Sequence, residues 1–165
     1  MSENLFKYNE DTNSFRLSLN IINESDNELP KYETEGASGF DIKAFLPDGV
    51  VILEPGEFRI IPTGLRVNFP EGFEIQIRPR SGLAAKHGVT VLNSPGTIDA
   101  DYTGLIGIIL INHSKLAFAI KTGDRIAQGV FATVLSKRSI NLVTFDGEVK
   151  KTDRGDGGYG STGNK

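Results

Sequence analysis

The feature that most narrows the possible folds is a two-residue alternation of apolar and polar side chains, repeated along the chain and cut by Gly and Pro. Phe15, Leu17, Leu19 and Ile21 alternate with Arg16, Ser18 and Asn20, the period that turns one face of an extended strand toward a core. Phe40, Ile42 and Ala44 alternate in the same way with Asp41 and Lys43, as do Phe73, Ile75 and Ile77 with Glu74, Gln76 and Arg78. Turn chemistry separates these runs at Leu46-Pro47-Asp48-Gly49, Glu54-Pro55-Gly56, Phe69-Pro70-Glu71-Gly72 and Asn93-Ser94-Pro95-Gly96. There Pro presets its own φ and Gly takes conformations closed to other residues. Nineteen glycines and seven prolines in such regular punctuation argue against a helical bundle. The expected class is all-β, a barrel or jelly roll.

One stretch breaks the alternation. Leu105-Ile-Gly-Ile-Ile-Leu-Ile111 is apolar on both faces and needs cover on both. Another subunit would supply the second cover and predicts a symmetric oligomer; a central place in a larger sandwich would also supply it. A single short helix is expected over Gly82–His87, with Ser81 as N-cap and Gly88 as its stop. The polar N-terminal residues 1–14 are expected to be loose. A chain of 165 residues, 38% of them hydrophobic, can bury one adequate core.

Charge and composition exclude several functions. With 21 acidic against 18 basic residues the net charge is -3, which leaves no broad electropositive surface for nucleic acid, although a small phosphorylated ligand needs only a few local cations. The absence of cysteine rules out disulfides and thiolate catalysis. With only His87 and His113, a zinc site would rest largely on carboxylates. Met1-Ser-Glu-Asn lacks the basic-then-apolar pattern of a secretion signal, and the longest apolar run is far too short to span a bilayer. The expectation is a soluble cytoplasmic protein with no membrane partner.

Four stretches could carry chemistry. Near the end stands Arg154-Gly-Asp-Gly-Gly-Tyr-Gly-Ser-Thr-Gly163, whose missing side chains and two hydroxyls suit an anion. It has no Lys and no following helix, so it is not a Walker loop. Arg78-Pro-Arg-Ser-Gly82 leads into the short helix, where a guanidinium, a hydroxyl and backbone donors converge. That is a phosphate-binding constellation, or a plain cap beside a solvated arginine. In Asn93 to Gly104, an extended chain would put Thr97, Asp99 and Asp101 on one face and Ile98, Ala100 and Tyr102 on the other. The carboxylate pair suits a general base, a hydrated cation or a solvated polar face. Its spacing imitates an EF-hand start, but Leu110 stands where a bidentate Glu is required. Gly123-Asp-Arg-Ile-Ala-Gln128 opens a strand with an amide and a cation, for a phosphate or for the sheet. No Gly-x-Ser-x-Gly elbow is present.

Taken in order, five segments resemble the trimeric dUTP pyrophosphatases. They are Gly36-Ala-Ser-Gly-Phe-Asp-Ile42, Pro79-Arg-Ser-Gly-Leu-Ala-Ala-Lys-His-Gly88, Asn93 to Gly104, Arg125-Ile-Ala-Gln128 and Arg154 to Gly163. The likeness runs from about Phe15 to the end. It implies a jelly-roll β domain over residues 15–153 with one short helix, a homotrimer with active sites at subunit contacts, and a mobile glycine-rich arm over 154–165. The activity implied is hydrolysis of dUTP to dUMP and pyrophosphate, which limits uracil incorporation into DNA and supplies dUMP for dTMP synthesis. On this resemblance Asp99 orients and deprotonates the water that attacks the α-phosphorus, with Asp101 in support. Arg80, Ser81, Gly82 and Gln128 hold the phosphates. Asn93 and the backbone around Gly96, Thr97 and Ile98 read the uracil edge, and Tyr102 packs under deoxyribose and refuses a 2′-hydroxyl. Arg154, Gly160, Ser161 and Thr162 close on the distal phosphates, while Tyr159 stacks on the base where the family more often has Phe. Mg2+ rides on the phosphates and meets Asp41 only through water. The related dCTP deaminases share the fold and parts of the motifs but attack the base; the Thr97–Tyr102 run and Ser161-Thr162 favour diphosphate cleavage.

Overall fold

A computed structural model describes residues 6–10, 13–135 and 137–158. In chain order the strands are β1 Phe6–Asn9, β2 Ser14–Leu17, β3 Asn20–Asn23, β4 Phe40–Lys43, β5 Val51–Leu53, β6 Phe58–Pro62, β7 Leu65–Asn68, β8 Phe73–Arg78, β9 Val89–Val91, β10 Gly96–Ile98, β11 Gly107–Asn112, β12 Phe118–Ile120 and β13 Arg125–Thr133. The helix α1, Ser81–His87, lies between β8 and β9. The structure is thus mostly β with one short helix, as the alternation and turn residues predict. Among the described residues no helix is long and apolar enough to cross a membrane.

The strands form a four-stranded sheet ordered β10-β8-β13-β4, a three-stranded sheet β6-β11-β9, and the pairs β12-β5, β3-β7 and β1-β2. Every pairing is antiparallel. Ile42, Ile75, Ile108, Leu110, Ile120 and Ile126 are almost wholly buried and belong to one core cluster. Ile42, Ile75, Ile108 and Leu110 were on an apolar face or in an apolar run of the sequence. Gly129 belongs to the four-stranded sheet for a steric reason. It pairs with Phe40 on β4 and Ile77 on β8, and a Cβ there would stand 2.5 Å from Cε2 of the Phe40 ring.

Several expectations need correction. The alternating run from Phe15 to Ile21 is not one strand: β2 pairs with β1, and β3 pairs with β7. The alternation survives because Leu17, Leu19 and Ile21 still line one apolar cavity of about 450 Å³; periodicity reports the buried face, not the pairing partner. Residues 6–9 form a strand where the sequence suggested loose chain. Asp41, on the polar face of β4, is buried. The apolar run 105–111 proves central, since β11 bonds to β6 on one side and β9 on the other. Its inward Ile108 and Leu110 are buried, yet the opposite face is only partly covered within the chain. On that face Ile60 and Phe58 of β6, opposite Ile109 and Ile111, are 68% and 60% exposed. Finally, α1 begins one residue earlier than expected. Arg80, not Ser81, occupies the N-cap position, with no side-chain cap, while Gly88 closes the helix in the left-handed region at φ 63°.

Candidate active site

The expected site residues fall into two groups on opposite parts of the four-stranded sheet. The first surrounds Asp41. The pairing sets Asp41 opposite Gln128, and Gln128 opposite Arg78, so the three side chains form a row across one face. Pro79 ends β8, and Arg80 then turns back over the row. Its Nε donates to Asp41 Oδ1 at 2.9 Å and its Nη1 to the main-chain oxygen of Arg125 at 2.9 Å. Arg125 Nη1 donates to Asp41 Oδ2 at 3.0 Å. Both oxygens of a carboxylate only 9% exposed are thereby engaged. Ser81 and Gly82 lie exposed beside Arg80 in the first turn of α1. Arg78 is held by Gln76, whose Oε1 accepts from its Nη2 at 2.6 Å. Three guanidinium groups against one buried carboxylate leave a local excess of positive charge, suited to a polyphosphate.

The second group is built on the hairpin after β9. Gly96 is buried against Ile77, and a Cβ there would press on the Asn93 amide and the Ile77 side chain at 3.1 and 3.3 Å. The strand expected to continue through Asp101 ends at Ile98. Asp99 to Tyr102 is instead a turn in which the Tyr102 N–H donates to the Asp99 carbonyl at 3.1 Å. Thus the two carboxylates do not share a strand face, although both border one cleft of about 800 Å³. Among the described residues neither carboxylate has a hydrogen bond or ion pair. Tyr102 folds over Gly104, where a Cβ would meet its hydroxyl at 2.6 Å, and donates to the Leu105 carbonyl at 2.8 Å. Thr97, Ile98, Asp99 and Tyr102 line a separate recess of about 210 Å³, so Asp99 borders two cavities.

The two groups are far apart. Thr97 pairs with Gln76 and Ile98 with Ile75, so Asp99 stands level with Glu74, whereas Asp41 is level with Arg78. Three strand spacings from β10 to β4 cover about 14 Å, four residues along β8 cover about 13 Å, and together they separate Asp99 from the Asp41–Arg80 pair by roughly 20 Å.

Of the remaining expected residues, Arg154 lies exposed in a turn, its Nε donating to the Gly157 carbonyl at 2.9 Å. Tyr159, Gly160, Ser161 and Thr162 lie outside the described residues. Arg125 was not singled out by its chemistry, because nothing local distinguishes a cation at the start of a strand. The only available signal was its place three residues before Gln128 in a motif of the resemblance. For magnesium, no group of three or more His, Cys, Asp or Glu side chains among the described residues could hold an ion. Asp41, expected to meet magnesium through water, already has both oxygens on guanidinium groups.

A β fold carrying a cation cluster and a glycine-supported recess beside an open carboxylate is suited to a phosphorylated ligand. Comparison with known proteins narrows that class. The dUTPase family matches residues 25–163. A deoxyuridine 5'-triphosphate nucleotidohydrolase of Roseobacter denitrificans is 55% identical over 135 residues, covering 82% of this chain and 86% of the relative. Among solved structures, a dUTPase of Staphylococcus bacteriophage 80alpha with dUpNHpp superposes with a TM-score of 0.76 at 25% identity, over 88% of this chain and 98% of that one. A dUTPase from phage phi11 of S. aureus, described with a structural Mg(II) ion, has a TM-score of 0.68 at 25% identity, covering 79% and 97%. The chain belongs to the dUTPase family.

Proposed function

We infer that this chain hydrolyses dUTP to dUMP and pyrophosphate, in a site that copies of the chain complete for one another. The observation that carries the shared site is the roughly 20 Å between Asp99 and the Asp41–Arg80 pair, a gap longer than the two P–O–P links of a triphosphate. One chain cannot present both groups to one substrate, whereas a second copy can bring its arginines to the first copy's hairpin. The exposed apolar face of Phe58, Ile60, Ile109 and Ile111 supports a close contact between copies. A jelly-roll subunit in a homotrimer is the arrangement proposed, with residues 15–153 as the β domain and 154–165 as an arm that closes over the nucleotide.

Within such a site the Asn93–Tyr102 hairpin takes the deoxynucleoside. Asn93 and the backbone of Gly96, Thr97 and Ile98 meet the uracil edge, and a mismatched base leaves buried polar groups unpaired at about 1 to 3 kcal/mol each. Tyr102, tied to Leu105, presents its ring to the sugar. Asp99 has no competing partner among the described residues and is free to take a proton from water. The water oxygen attacks the α-phosphorus, the bond from that phosphorus to the α–β bridging oxygen breaks, and pyrophosphate leaves with the electron pair. Arg80, Ser81, Gly82 and Gln128 of another copy hold the phosphates in line and offset the charge on the leaving group. The arm adds Arg154, Ser161 and Thr162 and places Tyr159 on the base. Magnesium, if bound, would be held by the substrate phosphates and would supply further charge neutralisation. The test is turnover of dUTP, UTP, dTTP and dCTP with products identified. Pyrophosphate from dUTP alone is expected; ammonia from dCTP, or no selectivity between dUTP and UTP, would refute the reading.

A further inference from the structure

We propose that Arg125 is a positioning residue, holding the phosphate-binding guanidinium of Arg80 in its working orientation through Asp41; this rests on the dUTP reading above. Arg80 is fixed at two of its three nitrogens. Nε donates to Asp41 and Nη1 to the main-chain oxygen of Arg125. Among the described residues Nη2 has no protein acceptor, so one edge of the guanidinium remains for an anion. That orientation depends on what occupies the other oxygen of Asp41. Arg125 fills it, at 3.0 Å. Without this partner, Oδ2 of a buried carboxylate is unpaired, and Arg80, already on Oδ1, is a donor beside it. Arg80 would then turn to grip both oxygens in the fork geometry that arginine and carboxylate favour, withdrawing the nitrogen left for phosphate.

The backbone around Arg125 is shaped for this contact. Arg125 pairs with Lys43 and Ala127 with Ile42, leaving Ile126 as an extra residue between them. Such a bulge re-aims the side chains beside it. Here it sends the consecutive Ile126 and Ala127 into the core and lets Arg125, paired with Lys43, reach back to Asp41 two residues along β4. Arg125 thus supplies a carbonyl to Arg80 with its backbone and a cation to Asp41 with its side chain. The first survives a substitution; the second does not.

Calorimetric titration with two ligands separates this role from others, using the imido analogue of dUTP with magnesium and, separately, dUMP. Arg125→Gln should weaken the analogue by about tenfold, equivalent to about 1.4 kcal/mol. The affinity for dUMP, which lacks the β- and γ-phosphates, should change by less than about twofold. In an Asp41→Asn background, Arg125→Gln should add less than about twofold to the loss for the analogue. Arg125→Lys, which restores a cation near Asp41, should recover part of the affinity. Equal loss of dUMP and analogue would make the role merely structural, and additive losses with Asp41→Asn would make Arg125 a direct phosphate ligand; either overturns the proposal. If Arg125→Gln does not fold, Arg125→Lys in both backgrounds gives the same comparison, and additivity there overturns it too. Failure of the unmutated protein to bind the analogue sinks the dUTP reading itself, and the proposal with it.

Discussion

If one chain supplies Asp99 and another supplies Arg80, two inactive variants should restore each other. Asp99→Asn removes the base and Arg80→Gln removes the phosphate-holding cation, so each alone should lose about 10²- to 10⁴-fold in turnover. Mixed assemblies behave differently. In a closed ring each site takes its hairpin from one copy and its arginine from the next. A site is intact when the first copy is the Arg80 variant and the second the Asp99 variant. In a trimer holding both variants, of either composition, that combination occurs at about one site in three. Pyrophosphate release from the isolated mixed assemblies should therefore rise to about a third of the unmutated rate per site, against a background of about 1% or less from either variant alone. The assay is coexpression or co-refolding of differently tagged variants, with mixed assemblies isolated through both tags and their composition checked by native mass spectrometry. Mixed assemblies that stay at the background would show that Asp99 and Arg80 of the same chain serve one site. The roughly 20 Å derived from the strand register would then have been misread.

Four further outcomes are expected. Asp99→Asn should keep the imido analogue bound with near-normal affinity while turnover falls about 10²- to 10⁴-fold, and near-normal turnover would exclude its role as the base. Deleting residues 154–165 should leave the assembly mass unchanged for the remaining chain but collapse turnover; persistent rates would remove the closing arm from the mechanism. Gly129→Ala drives a methyl against the ring of Phe40, itself only 7% exposed, and should cost about 1–3 kcal/mol, read as a lower urea midpoint at unchanged slope. Glu57 accepts from the Glu54 N–H and from Arg59, and these partners, the backbone first, hold its carboxyl below its ordinary range. A lowered folded-state value stabilises the fold above the unfolded value and stops doing so as pH falls through the folded one. Glu57→Gln should therefore lower the denaturation midpoint at pH 7, with the gap closing in acid; a gap that widens in acid would contradict the assignment.

The β class was readable because its evidence is local. A period of two needs only a few consecutive residues, and Phe73, Ile75 and Ile77 declare their face without reference to any partner. Leu17, Leu19 and Ile21 show the limit of that signal, since they share a buried face while β2 and β3 pair with different strands. The hairpin was legible in its glycines and its turn, but not where it ended. Asp99-Ala-Asp-Tyr102 fits an extended chain equally well, yet β10 stops at Ile98, opposite Ile75, although β8 continues to Phe73. Ser81 looked like a cap because its residue type prefers that position, yet Arg80 holds the place, anchored by a carboxylate 39 residues earlier.

Local order, the apolar faces, the turns and the inventory of phosphate-seeking and proton-accepting side chains were all written in the chain itself, since each depends on near neighbours. The meeting of Arg125 with Asp41 spans 84 positions, and no short window contains it. Nor does any window contain the separation of Asp99 from Arg80, which follows from strand order and register summed across a sheet. Long-range pairing sets which charges face one another and which face nothing, and for that reason the roughly 20 Å between Asp99 and the Asp41–Arg80 pair follows only from the tertiary structure.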